Sequence, residues 1–201
     1  VSEQANVVGN VYDKYESSNP LARLLMARFL RAVTGLYQRV APETVLEVGC
    51  GEGMLADHLV KAGPRPEEFH AVDLELTQIK RGLDPLIFFR NASIYELPYE
   101  DDQFDLVVCC EVLEHLERPA DGMVELARVA KRAVLISTPW EPVWRALNMA
   151  RGKYLREWGN TPGHIQHFSR AGLIALAQTR LKIVAKRTPL PWTVLLGEPL
   201  S

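Results

Sequence analysis

Two carboxylates and an imidazole fall within Glu111-Val-Leu-Glu-His115, directly after the apolar run Phe104-Asp-Leu-Val-Val-Cys-Cys110. Glu111 and His115 share a face if this segment is helical, and Glu114 adjoins the histidine. Groups of these types can move a proton, because histidine ordinarily titrates near neutrality. They can also hold a divalent cation, or be no more than the solvated first turn of a helix. Two further imidazoles, His164 and His167, occur downstream in Gly163-His-Ile-Gln-His-Phe-Ser169. A second group with binding chemistry comes earlier in the chain. Glu47-Val-Gly-Cys-Gly-Glu-Gly53 alternates glycines at 49, 51 and 53, and Asp73 follows twenty residues after Gly53. Alternating glycines let backbone approach a ligand at a helix start, and a carboxylate at that distance can accept hydrogen bonds from ribose hydroxyls.

Secondary structure must bring these groups together. Short apolar runs at Val45 to Val48, Phe69 to Val72, Leu86 to Phe89, Leu106 to Cys110 and Ala133 to Ile136 predict strands. Helices are expected at Pro20 to Val40, Met54 to Lys61, Thr77 to Gly82, Ala120 to Val129 and Ser169 to Thr179, the last with a serine able to cap it. This alternation is that of a parallel sheet covered on both faces. Ile183 to Arg187 and Thr193 to Leu196 leave no room for a helix between them, so they must pair as an antiparallel hairpin. The expected fold is α/β, a Rossmann-like doubly wound sheet, mostly parallel with a C-terminal antiparallel hairpin strand. Ligands of such sheets bind at the carboxyl ends of the strands, which is where both groups fall.

The chain has 201 residues, 47% hydrophobic, enough for one domain with its own core. A net charge of −2 gives nucleic acid no general pull, and no apolar run approaches the ~20 residues of a membrane span. The expectation is a soluble, cytoplasmic protein without a signal peptide. Cys50, Cys109 and Cys110, odd in number and partly adjacent, suit reduced thiols better than a disulfide framework. One asymmetry underlies the near-neutral total: Pro139 to Thr188 carries nine Lys/Arg against Glu141 and Glu157. That stretch is either a solvated face or a basic surface near an anionic substrate or membrane.

Counting from Gly49, the sixth residue is Met54, so the third glycine of a dinucleotide fingerprint is missing. Glu47 would repel a pyrophosphate and attract an ammonium or sulfonium group, which favours S-adenosylmethionine over NAD. Together Val45-Leu-Glu-Val-Gly-Cys-Gly-Glu-Gly53, Ala71-Val-Asp73, Asn91-Ala-Ser93 before Leu97-Pro98, and Phe104 to Leu116 resemble the class I S-adenosylmethionine-dependent methyltransferases, in their type 11/12 small-molecule branch. The resemblance implies that Glu47, Gly49, Cys50, Gly51 and Gly53 hold the methionine moiety. It implies that Asp73, with Leu74 beside it, binds the ribose, that Asn91 and the Ala92 amide read adenine, and that Glu111 lies beside the cofactor. Many relatives carry Asp where Asn91 stands, and Arg128 to Val134 lacks their Pro-Gly-Gly turn, which implies a tighter connection. Tyr12-Asp-Lys-Tyr15 resembles the segment that folds over the cofactor, making residues 1–40 a helical lid with Tyr12 and Tyr15 as pocket walls.

Methyl transfer needs an acceptor held in line with the donor, and a base only if the acceptor starts protonated. His115, with Glu111 and Glu114, is the candidate catalytic group for a hydroxyl acceptor. Glu-x-x-Glu-His with a downstream histidine is also similar to the divalent-metal site of the ubiquinone-biosynthesis and small-RNA 2′-O-methyltransferases. That likeness implies ligands among Glu111, Glu114, His115, His164 and His167, with Mn or Zn fitting the mixed donors better than Mg. Residues 139–167, with Trp140, Trp144, Val143, Leu147 and Ala150, are the expected acceptor-pocket insertion. Their tryptophans and cations would also suit transient membrane contact. The reading is an enzyme methylating a small molecule, most simply at oxygen. The alternatives are a metal-dependent RNA 2′-O-methyltransferase and a cofactor-binding module without catalysis.

Overall fold

Val45, Leu46 and Val48 are buried in a short strand that the chain enters from a long helix, and the same alternation repeats along the sequence. The computed structural model describes residues 19–150, 158, 160, 161 and 163–200. The elements are α1 (Pro20–Val40), β1 (Thr44–Val48), α2 (Met54–Ala62), β2 (Glu68–Asp73), β3 (Ile87–Asn91), β4 (Phe104–Cys110), a 3₁₀ turn (Leu113–His115), α3 (Pro119–Val129), β5 (Ala130–Pro139), α4 (Glu141–Ala150), α5 (Arg170–Gln178), β6 (Leu181–Arg187) and β7 (Trp192–Pro199).

Helix α1 starts where Asn19 Oδ1 accepts the Leu21 and Ala22 amides and Pro20 occupies a first-turn position that needs no donor. It buries Met26, Phe29, Val33, Leu36, Tyr37 and Val40, one stripe at helical spacing. The strands form a seven-stranded sheet in the order β3-β2-β1-β4-β5-β7-β6. Strands β1 to β5 run parallel, and β7 is antiparallel to both β5 and β6. The strand order turns between β1 and β4, so their carboxyl ends open the crevice in which both chemical groups lie. Every residue of β4 is buried, as expected for a central strand covered on both faces. Helices α1 and α2 pack one face through Phe29, Leu36, Leu55 and Leu59. Helices α3 and α5 pack the other through Met123, Leu126 and Leu173. Among the described residues, no helix is long and apolar enough to cross a membrane.

Two connections depart from the sequence expectation or refine it. No helix forms over Thr77 to Gly82, where the chain makes successive turns instead. Gly82 takes a φ of 79°, and Leu76, Ile79, Leu83 and Leu86 pack individually against the core. The backbone is tied outward, with Lys80 N–H donating to Glu52 O and Asp84 N–H to Asp57 Oδ1, which competes with helical i→i−4 bonds. At the second site α3 runs straight into β5, Val129 ending one and Ala130 beginning the other. Arg128 secures this corner by donating to Glu125, Asp101, Tyr99 O and Leu97 O, a junction that does without a glycine turn.

Candidate functional site

The glycine loop leaves β1 with φ of 78° at Gly49, 52° at Gly51 and 79° at Gly53, a backbone other residues adopt only with strain. Gly49 and Cys50 N–H both donate to Val72 O at 2.8 and 3.0 Å, and Gly51 N–H donates to Asp73 Oδ2 at 2.8 Å. The loop is thus braced by the end of β2. A Cβ on Gly49 would strike Val112, and one on Gly53 would meet Leu83 at 2.6 Å and Phe89 at 2.9 Å. A Cβ on Gly51 would meet nothing within 4 Å, so that position faces open space. The Gly49 contact also places the glycine loop against the segment leading from Glu111 to His115.

Glu47 is 2% exposed, and its Oε2 has no hydrogen-bond partner among the described residues. Burial first, and the Asp73 charge second, push its pKa up to about 8, against the opposing pull of the Ala56 amide. A buried carboxyl in this condition gains most from a cation placed beside it. The same surroundings push the Cys50 thiol well up, burial foremost, followed by Glu47 and Asp73. Leu74 is exposed beyond β2, Asn91 Nδ2 donates to Leu74 O at 3.2 Å, and Ala92 N–H donates to Asp73 O at 3.0 Å. An orphaned carboxylate oxygen, an open glycine and a ribose-type carboxylate suit the sulfonium, amino group and sugar of S-adenosylmethionine.

Past β4 the chain does not continue as a helix. Glu111 takes a φ of 62°, and only Leu113–His115 makes a 3₁₀ turn, so Glu111 and His115 do not share a helical face. Glu111 turns toward the antiparallel side of the sheet, accepting from Ser137 Oγ at 3.1 Å and Trp192 Nε1 at 2.7 Å. Glu114 is 1% exposed, and its carbonyl accepts the Ile165 and Gln166 amides at 3.0 and 2.9 Å. That pairing docks the downstream histidine segment on the turn. His115 Nδ1 is 2.8 Å from Gly163 O, and the His115 and His164 rings lie 4.9 Å apart, nearly perpendicular. One ligating atom from each of Glu114, His115 and His164 lies within 4.8 Å of the others.

Of the five sequence candidates for a cation site, then, the structure gathers three. Glu111 is engaged elsewhere, and His167 is largely exposed with Nδ1 3.7 Å from Glu141 Oε2. Glu141 itself was not singled out. It is 4% exposed at the start of α4, with Oε1 2.7 Å from His164 Nδ1. Its one sequence signal is its company, as one of two acids in a stretch with nine Lys/Arg. Trp192 was also missed, since its contact with Glu111 depends on strand order. Trp144 of α4 bonds Thr161 Oγ1 through Nε1 at 2.8 Å, and its ring lies 6.4 Å from His164 and 5.9 Å from Trp192. Trp140 carries Arg170 over its ring at 3.8 Å. Tyr12 and Tyr15 lie outside the described residues, as do 151–157, 159 and 162 of the insertion.

Residues 46–137 match the family described as "Methyltransferase domain". A "Probable S-adenosylmethionine-dependent methyltransferase" of Mycobacterium tuberculosis is 38% identical over 112 residues, which are 52% of this chain and 40% of that protein. A ubiquinone biosynthesis O-methyltransferase of Hahella chejuensis is 33% identical over 96 residues, 43% of this chain and 38% of the relative. The chain thus spans about two-fifths of the length of these curated relatives. The magnesium protoporphyrin IX methyltransferase of Synechocystis PCC 6803, solved with bound SAH, shares the fold at a TM-score of 0.67. It does so at 16% identity, over 92% of this chain and 89% of that one. By its sheet order and braced glycine loop the chain shares the fold of this structure, and residues 46–137 carry the match to the methyltransferase domain.

Proposed function

We propose that this protein is an enzyme that transfers the methyl group of S-adenosylmethionine to an oxygen of a small-molecule acceptor. The observation that carries the reading is the contact of the glycine loop with Val112, which sets the cofactor seat beside the turn bearing Glu114 and His115. When bound, the cofactor supplies an activated sulfonium methyl. Glu47 balances its positive charge, the Gly49 to Gly53 backbone seats the methionine moiety, and Asp73 accepts from the ribose hydroxyls while still bracing Gly51. Asn91 is the residue left to meet the base, because the expected Ala92 amide already donates to Asp73 O. His115 takes the acceptor's proton as the new bond forms, with Glu114 buried beside it. Residues 20–40 of the expected lid pack on the sheet as α1, and residues 139–167 shape the acceptor pocket of what is one domain. The ring contacts of Trp144 with His164 and Trp192 support that role for the insertion. Three free, buried cysteines support work in a reducing cytoplasm.

A second reading adds a divalent cation held by Glu114, His115 and His164, favoured by their convergence within 4.8 Å. One carboxylate and two imidazoles are a donor set that Mn or Zn accepts, and such an ion would polarise a bound hydroxyl. The test is a methyl-transfer screen over hydroxylated metabolites, run with chelator and with added Mn²⁺ or Zn²⁺, alongside calorimetry of cofactor binding. Turnover on a hydroxyl compound that falls at least tenfold in His115→Ala is expected. Absence of cofactor binding would overturn the reading, and transfer confined to RNA would replace its acceptor class.

A further inference from the structure

The cluster at the acceptor side holds two imidazoles whose proton positions are dictated from outside it. His115 Nδ1 faces Gly163 O at 2.8 Å, and a carbonyl oxygen can only accept. Gly163 has a φ of 87°, so a residue that tolerates left-handed backbone aims this carbonyl. His164 Nδ1 faces Glu141 Oε1 at 2.7 Å, with both side chains 5% exposed. Glu141 stands in the first turn of α4, at the positive end of the helix dipole, and its amide donates to Phe168 O. A carboxylate there is an acceptor, so Nδ1 of His164 carries the proton.

We propose that Glu141 is a positioning residue. It fixes His164 in the Nδ1–H tautomer, so that Nε2 is the nitrogen of this imidazole left to accept a proton or a cation. Fixing the outer nitrogen of an imidazole to a carboxylate or carbonyl is how a histidine is oriented and made more basic at its inner nitrogen. Trp144 is the side wall of the arrangement, lying 20° from the His164 plane and held by Thr161. One consequence reaches the insertion: the helix that shapes the acceptor pocket also sets which nitrogen of His164 faces it. The proposal rests on the methyltransferase reading for its purpose and not for its proof.

The experiment is a two-bond ¹H–¹⁵N correlation spectrum of the uniformly labelled full chain, recorded at a pH where imidazoles are neutral. Its five histidines are assigned by single substitution. His115 and His164 are expected to carry the proton on Nδ1. Glu141→Ala should move the His164 proton to Nε2 and leave His115 unchanged, while Glu141→Gln, whose amide oxygen still accepts, should keep the Nδ1–H form. Zn²⁺ affinity followed by tryptophan fluorescence should weaken roughly 10–100-fold in Glu141→Ala and less in Glu141→Gln. A His164 proton on Nε2 in the unaltered chain, or a tautomer unmoved by Glu141→Ala, overturns the proposal. Cofactor affinity, measured in parallel, should stay within about twofold in both variants, a change too small to reflect a lost contact. Its absence in the unaltered chain would instead overturn the methyltransferase reading.

Discussion

Glu47 gives the sharpest quantitative expectation, because its carboxyl is buried, its Oε2 has no partner among the described residues and its pKa is pushed up to about 8. At pH 7 about 0.9 of the free protein therefore carries a proton there. A cation seated beside it favours the carboxylate, and if the group falls back toward its ordinary range, binding releases roughly 0.9 proton. Calorimetry of S-adenosylmethionine binding at pH 7, in buffers of different ionisation heat, reads this number as the slope of observed enthalpy. Below pH 8 the association constant should rise by about tenfold per pH unit, levelling above it. Glu47→Gln should bring the slope near zero and flatten the pH dependence. Strong binding by the unaltered chain with no proton released would refute the assignment of Glu47 as the cation's partner. The free protein has a matching sign. A carboxyl whose folded pKa is raised contributes stability that is complete below about pH 4.5 and is lost as pH climbs through 8. That loss is of the order of a few kcal/mol, and saturating cofactor should offset most of it.

The glycines separate binding from folding. Gly51→Ala, open at Cβ, should cost about 1 kcal/mol of stability from its left-handed backbone and weaken cofactor binding at least tenfold. Gly53→Ala, blocked by Leu83 and Phe89, should lose more stability, measurable by urea denaturation. Trp192→Phe removes the indole donor to Glu111 and should destabilise the fold by about 2 kcal/mol in the same assay. Cys109 and Cys110 are buried with thiols pushed well up, chiefly by burial, and Cys50 behaves alike, so iodoacetamide at pH 8 should label none until the chain is unfolded.

Strand positions were legible because Val45, Leu46 and Val48 dominate β1 and Leu106 to Cys110 form an unbroken apolar run in β4, a pattern with few other solutions at that length. The shape of the glycine loop was legible because left-handed backbone at Gly49 and Gly53 admits almost nothing but glycine, and the types themselves report it. Thr77 to Gly82 misled because Leu76, Ile79 and Leu83 mimic helical spacing, whereas backbone bonds to Glu52 and Asp57 decide the outcome. His164 could not be told from His167 by spacing, since the choice follows from Ile165 and Gln166 pairing with the Glu114 carbonyl. Glu111 was assigned with its sequence neighbours, but its partners Ser137 and Trp192 come from two other strands. Local propensity carries no information about such partners.

The place of β7 has a consequence for how the molecule is made. Strand β6 leaves the chain first, yet the sheet has no slot for it until β7 arrives between it and β5. A nascent chain with Leu181–Arg187 outside the ribosome therefore holds an exposed β5 edge and an unpaired strand at once. A stop codon anywhere before Trp192 would remove the indole that holds Glu111 together with the strand that closes the sheet. Such a truncated product would lose the Glu111 contact and the cover of the β5 edge in one event, leaving an open strand prone to aggregation.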